Sequence, residues 1–416
     1  MLQTCIFILP TTILPMTSTP PLPVELTDRI IDLLYDDHDS LRRCAISCKE
    51  FLPRCRFNRF HSVQLNGKNI VQFTNILQSS PDISFYVREL VVMAKERMQR
   101  PGMIRPCISW IEIHLSKLGG KLSYVHKLEI LQSDALREVA FRSFNSVQTL
   151  VLRRCNVSSV DRYIRFLNSF PSIRAVHNYR VGITKPDVVS QEATFVSLTS
   201  IEFLHCSLHF SSLLGWLSSQ SHRFPLETLA VGPIDYASLP PVGELLKAAA
   251  KTLEHICIYV THDEDEDGSD VLQRALDLTS LTKLQTVVFG STNAIGQPLF
   301  PANNAALYLW ISNALETITS SHLFSITFSL GKYDDSNTLE NAYFNKLSLL
   351  LNSAQFKALR EVRLSLVPAG RKAEMVSKLR DGLSRLGSNG KLVLDIPSNY
   401  GESEVYPSLY YSVPPS

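Results

Sequence analysis

Three groups of side chains have types and spacings that could do chemistry. Cys44, Cys48 and Cys55 are close in sequence. They contain no C-x-x-C pair, the usual building block of a structural zinc site. They are read instead as small buried apolar thiols. His205 and His209 are four apart, but one falls in a predicted strand and the other beyond it, so they do not share a face with further ligands. Asp263, Asp265, Asp267 and Gly268 match the first, third, fifth and sixth positions of a calcium loop. The last position of that loop must be a bidentate Glu, and here it is Arg274. The run 263–270 is therefore read as a solvated loop in which Ser269 or Asp270 caps the next helix. The chain has no G-x-S-x-G elbow, no phosphate-binding G-x-x-x-x-G-K-[ST] and no G-x-G-x-x-G. No catalytic residue, metal or cofactor is expected, which leaves recognition as the chemistry to be positioned.

Composition narrows what can be recognised. Of 416 residues, 45% are apolar and 19% charged, which suits packed domains and not wholesale disorder. Lys and Arg number 41 against 39 Asp and Glu, giving a net charge of +2. That balance argues against a nucleic-acid or acidic-lipid surface. No apolar run approaches the ~18–20 residues that cross a bilayer. Eight cysteines are sparse and irregularly placed, so reduced thiols in the cytoplasm and/or nucleus are expected. Residues 1–20 are expected to be a flexible N-terminus. Pro10 interrupts their apolar run, and the first basic residue is Arg29. Pro397–Ser416, rich in Pro, Ser and Tyr, is expected to be a flexible tail.

Residues 21–60 read as a short helical module. Pro23 suits a first helical position, and Leu26, Ile30, Leu33 and Leu34 recur on one face. The polar run Asp36–Ser40 ends in an N-cap, Asp39 or Ser40. A second stripe follows in Leu41, Cys44, Ala45, Cys48 and Phe51. So short a module buries too little to stand alone and must lean on the rest of the chain or on a partner.

Leu22-Pro-Val-Glu-Leu26, then Ile30-Ile31 and Leu34, then Leu41, Cys44, Ser47-Cys48-Lys49 and Phe51 resemble the F-box. Ser47 stands where Val is usual in that family, and Phe51 where Trp is common. The resemblance implies docking onto the Skp-type adaptor and cullin of an SCF ubiquitin ligase. The contacts it implies are Leu22, Pro23, Leu26, Ile30, Ile31, Leu34, Leu41, Cys48 and Phe51, packed helix against helix. The alternative is that these helices only cap the following domain.

Residues 80–396 carry a repeated short pattern. Val147-Gln-Thr-Leu150-Val-Leu152-Arg-Arg-Cys155-Asn-Val157 and Leu198-Thr-Ser-Ile201-Glu-Phe203-Leu-His-Cys206-Ser-Leu208 fit L-x-x-L-x-L-x-x-[NC]-x-L, allowing other apolar residues for Leu. Weaker copies begin at Val87, Val125, Ile173, Leu226, Leu253, Leu284, Leu323 and Leu359, and Lys391–Ile396 reads as a further strand. From 147 to 284 the starts are 26, 25, 28, 27 and 31 residues apart, near the ~20–29 of leucine-rich repeats. Amphipathic segments at 160–170, 242–250, 271–278, 305–318 and 342–351 lie between the strands.

The expected fold is α/β: the helical module, then a leucine-rich-repeat-like solenoid of parallel strands and helices. Cys155 and Cys206 take the turn position that satisfies backbone groups leaving the strand. The alternating positions Thr149, Val151, Arg153, Glu202, Leu204, His255, Tyr259, Thr327, Glu361 and Arg363 are expected to face outward on the concave side. Arg153, Glu202, His255, Tyr259 and Arg363 are the candidate contacts to a protein substrate. Trp110, Trp216 and Trp310 are expected to be core. The function expected is substrate recognition for ubiquitin-dependent protein degradation. A non-degradative binding scaffold is the alternative.

Overall fold

The structure is a computed structural model. It describes residues 22–94, 110–134, 136–187, 197–206, 210–234, 238–261, 276–292, 305–333, 341–368, 377, 381 and 383–395. Residues 1–20, Cys5, Cys107, His209, the acidic run 263–270, Arg274 and 397–416 lie outside these, as does most of the helix expected at 271–278. The chain divides into two compact units, Met1–Ser62 and Val63–Ser416.

The first unit holds three short helices, α1 (Val24–Asp32), α2 (His38–Ser47) and α3 (Leu52–Phe60). Pro23 is the N-cap of α1 and not its first helical residue; its extended ψ of 140° turns the chain into the helix. The cap of α2 is Asp37, two or three residues earlier than Asp39 or Ser40. Its carboxylate accepts the Ser40 N–H at 3.0 Å. The Asp36–Ser40 run offers several capping side chains, and the one used is the one that lets His38 begin the helix.

In the second unit one twelve-stranded sheet runs through the described residues. Its strands are β1 (Ser62–Leu65), β2 (Glu89–Met93), β3 (Lys127–Leu131), β4 (Thr149–Arg153), β6 (Ala175–Tyr179), β8 (Ser200–Leu204), β9 (Thr228–Ile234), β10 (His255–Thr261), β11 (Thr286–Thr292), β12 (Ser325–Tyr333), β13 (Glu361–Pro368) and β14 (Leu392–Asp395). Two short segments, β5 (Asn156–Val157) and β7 (Gly182–Ile183), pair separately. The sheet follows sequence order, and from β2 to β14 each strand lies parallel to the next.

Each of the ten repeat starts from Val87 to Leu359 is fully buried and stands two residues before its strand. The starts are the first rung of a core that no repeat closes alone. Helices Val160–Leu167, Leu239–Ala248, Ala305–Thr317 and Asn341–Leu351 connect strands close to where periodicity places them. A further helix, Phe210–Gln220, has no counterpart among the segments read from sequence. The core is aromatic where repeats meet. Phe166 contacts Phe141 and Phe170 edge-on at 5.3 Å each, and Trp310 meets Phe289 at 5.3 Å. Trp216 is also buried; Trp110 is only partly so. This is the leucine-rich-repeat-like α/β solenoid.

Candidate binding surfaces

In the helical unit the two faces of α1 diverge. Ile31, Leu41 and Cys55 form a small closed core, with Leu34, Cys44, Ala45 and Phe51 packed against it. Arg54 clamps the end of α1: its Nε donates to Asp32 Oδ1 at 2.6 Å, and its terminal nitrogen donates to Oδ2. Asn58 Nδ2 adds bonds to the Ile31 carbonyl at 3.2 Å and to Asp32 Oδ1 at 3.0 Å. The Arg54 hydrogen bond, helped by Asn58, holds the Asp32 carboxyl below its ordinary value against the opposing effect of burial.

The other face of α1 stays uncovered. Leu26, Ile30 and Leu33 share one helical stripe and are 48%, 52% and 77% exposed; Leu22, just before the helix, is 63% exposed. Pro23 is exposed and Cys48 half-buried. Two residues named from sequence as adaptor contacts are thus corrected. Ile31 and Leu41 face inward and support the exposed stripe without being part of it. One helix cannot turn neighbouring residues such as Ile30 and Ile31 to the same side.

On the solenoid, parallel register sets the outward residues in rungs. One rung reads Glu129, Val151, His177, Glu202, Ala230, Cys257, Val288, Thr327 and Arg363 across successive strands. Its charged end is made of ion pairs between neighbouring strands. Arg153 Nε meets Glu129 at 2.8 Å, and His177 Nδ1 meets Glu202 at 2.8 Å. At the far end Arg363 Nε meets Glu361 at 2.9 Å. His255 Nδ1 shares a 2.8 Å hydrogen bond with Thr286 Oγ1, and burial lowers its pKa.

The middle of this face is sealed by its own side chains. Leu204, Ala230, Cys257, Tyr259 and Val288 form a buried cluster with Tyr179 against it. A Cβ added at Gly290 would lie 2.1 Å from the Tyr259 ring, so only glycine lets that ring lie flat there. Tyr259 and Leu204, in this cluster, and Glu202, Val151 and Thr327 elsewhere on the face are buried, against the expectation that they face outward on the concave side. Neighbouring strands stand ~4.8 Å apart, and at that spacing a large side chain covers its neighbour's rung. Of the candidate substrate contacts, Arg153, His255 and Arg363 keep partial exposure.

The turn cysteines hold backbone. Cys155 Sγ donates to the Ile130 carbonyl at 3.4 Å, and Cys206 Sγ lies 3.8 Å from that of Asn178. Burial pushes the Cys155 thiol up to about 11 and the Cys206 thiol up to about 12, the opposite of nucleophile activation. Asn178 replaces an apolar core position. It accepts from the Tyr163 hydroxyl at 2.8 Å and donates to the Glu202 carbonyl at 3.1 Å, tying helix to sheet. Among the described residues the cysteines are free thiols, no cluster of three His, Cys, Asp or Glu could hold a metal, and no helix is long and apolar enough to cross a membrane.

No family model matches this sequence, and no curated protein matches it. Among solved structures, the chain is similar to TLR13 in a complex with ssRNA13, at 14% identity and a TM-score of 0.38 over 79% of this chain. It spans 41% of the length of that TLR13 chain. It is also similar to internalin C2 of Listeria monocytogenes str. 4b F2365, at 13% identity and a TM-score of 0.28, covering 67% of this chain and 84% of the other. The architecture rests on the strand order and repeat spacing of the chain itself.

Proposed function

We propose that this chain is the substrate-recognition subunit of an SCF-type ubiquitin ligase. The helical module docks on the Skp-type adaptor, and the solenoid holds a target protein. The observation that carries the reading is the uncovered stripe Leu26, Ile30 and Leu33 beside Leu22, on a helix whose opposite face already forms a core. A stripe of that kind fits a partner helix, and Leu22, Leu26 and Ile30 are also among the residues of the F-box resemblance. The chain would not perform the chemistry. Holding the target beside a charged conjugating enzyme converts a dilute encounter into a quasi-intramolecular one.

Co-purification of the full chain with a Skp-type adaptor tests this. Wild type should retain the adaptor, and L26D/I30D should lose about tenfold or more of it, as expected when central apolar anchors are removed. I113D, at an exposed apolar position of the solenoid, should retain it. Failure of wild type to capture the adaptor, with α1 folded, rejects the reading.

One observation favours the scaffold alternative. Ile31, Leu41 and Cys55 close the module's core without a partner. In that case the same experiment shows no adaptor with any variant.

A further inference from the structure

Four strands of the solenoid end in the same unusual way. Gln132, Arg154, Arg180 and His205 each follow a strand with a positive φ, at 56°, 53°, 54° and 55°. Residues other than glycine rarely adopt this conformation. Each N–H donates to a carbonyl of the next strand: to the last residue of the strand at Arg153 (2.9 Å), Tyr179 (2.8 Å) and Leu204 (2.9 Å), and to Gly232 within its strand at 2.6 Å. The repeated turn sets four side chains in register along one edge of the sheet, about 4.8 Å apart.

Two of the four are arginines. Arg154 and Arg180 are exposed, and among the described residues neither forms an ion pair. The Arg180 guanidinium stands 5.3 Å from the centre of the Tyr179 ring, and that of Arg153 5.9 Å. Tyr179 also meets the His205 ring edge-on at 5.4 Å. Burial, then the nearby Arg180 charge, pushes His205 down to about 4, so it is neutral at physiological pH. The result is an aromatic platform with guanidinium groups around it, beside the sealed apolar middle of the face.

We infer that this edge binds an extended acidic segment of a protein, its carboxylates on Arg154 and Arg180 and its backbone or apolar side chains over Tyr179. Guanidinium groups bind carboxylates in bidentate pairs. Alternate side chains of an extended peptide lie ~6.6–7 Å apart on one face, a separation long side chains on neighbouring strands can meet. A polynucleotide fits less well. Arg154 and Arg180 make a short charged spot at the strand ends, whereas a phosphate backbone needs a continuous stripe of cations.

The inference rests on the solenoid being the target-holding part, and it assigns the chemical class of the target. Fluorescence anisotropy of a labelled Glu-Ser repeat peptide on the full chain tests it, beside a Lys-Ser repeat and an oligouridylate of equal length. Adaptor capture is measured on the same preparations. The Glu-Ser peptide should bind in preference to both, and R154E/R180E and R154Q/R180Q should each weaken it about tenfold or more. Melting temperature and adaptor capture should not change. Undiminished peptide binding in R154E/R180E, no peptide binding by wild type, or tighter binding of the oligouridylate overturns the inference. If the adaptor is never captured but peptide binding still depends on these arginines, the ligase reading fails and this surface stands.

Discussion

The two units solve the burial problem in different ways. In the solenoid each strand brings the same apolar positions to the same depth, and each repeat covers the next; all ten starts from Val87 to Leu359 are fully buried. In the helical module only Ile31, Leu41 and Cys55 reach that depth, while Leu22, Leu26, Ile30 and Leu33 remain in solvent. A repeat array grows its core with length, and a three-helix unit cannot. Exposed apolar side chains scattered over a large surface need no explanation. Aligned on one stripe of a unit short of core, they are what the docking proposal is built on.

The contrast predicts where mutations are felt. Phe166→Ala should have the largest effect, about 3–5 kcal/mol of destabilisation, because it empties the centre of the Phe141, Phe166 and Phe170 cluster. All three tryptophans lie in the second unit. Chemical denaturation followed by tryptophan fluorescence should therefore show the loss directly. Leu41→Ala should cost about 2–4 kcal/mol within the module. It should leave the tryptophan transition where it was, while hydrogen exchange quickens across residues 24–60. Equal shifts of the tryptophan transition by both variants would mean that the units unfold together.

Much of the solenoid was legible because its core positions are fixed by type and interval. A residue such as Leu226 or Leu253 announces its strand by recurring at the repeat spacing. The helix Phe210–Gln220 was not legible. Its apolar residues are interrupted by serines and Gly215, and they resemble a loop until Leu213, Leu214 and Leu217 are seen buried. Alternation gave the outward side of each strand but not what covers it. The burial of Tyr259 depends on Gly290, one strand away and thirty-one residues later, and that of Glu202 on His177. The left-handed arginines were equally hidden, since nothing in Arg153-Arg154 marks a backbone that normally selects glycine or asparagine. In the module, the resemblance could not sort Ile30 from Ile31. That distinction depends on which face the small core claims.

The smallest effect separates the two units by acid. In the solenoid, burial lowers the pKa of His205 to about 4 and also lowers that of His255. As pH falls below the ordinary histidine value of 6.5, the unfolded chain takes up protons that the folded chain refuses. Solenoid stability is therefore full above that value and declines as pH falls toward 4. In the module the sign is the same but the window lies lower. Asp32 is held below its ordinary 3.8 by Arg54 and Asn58. Its contribution is complete above that value and is lost only as pH falls through the lowered folded pKa. Acidification should thus lower the tryptophan-detected stability between pH 6.5 and 4 while exchange protection in α1 and α3 holds. His205→Gln should flatten the solenoid's decline without touching the module. Simultaneous loss in both units, or an unchanged decline in His205→Gln, would assign the acid sensitivity to other groups.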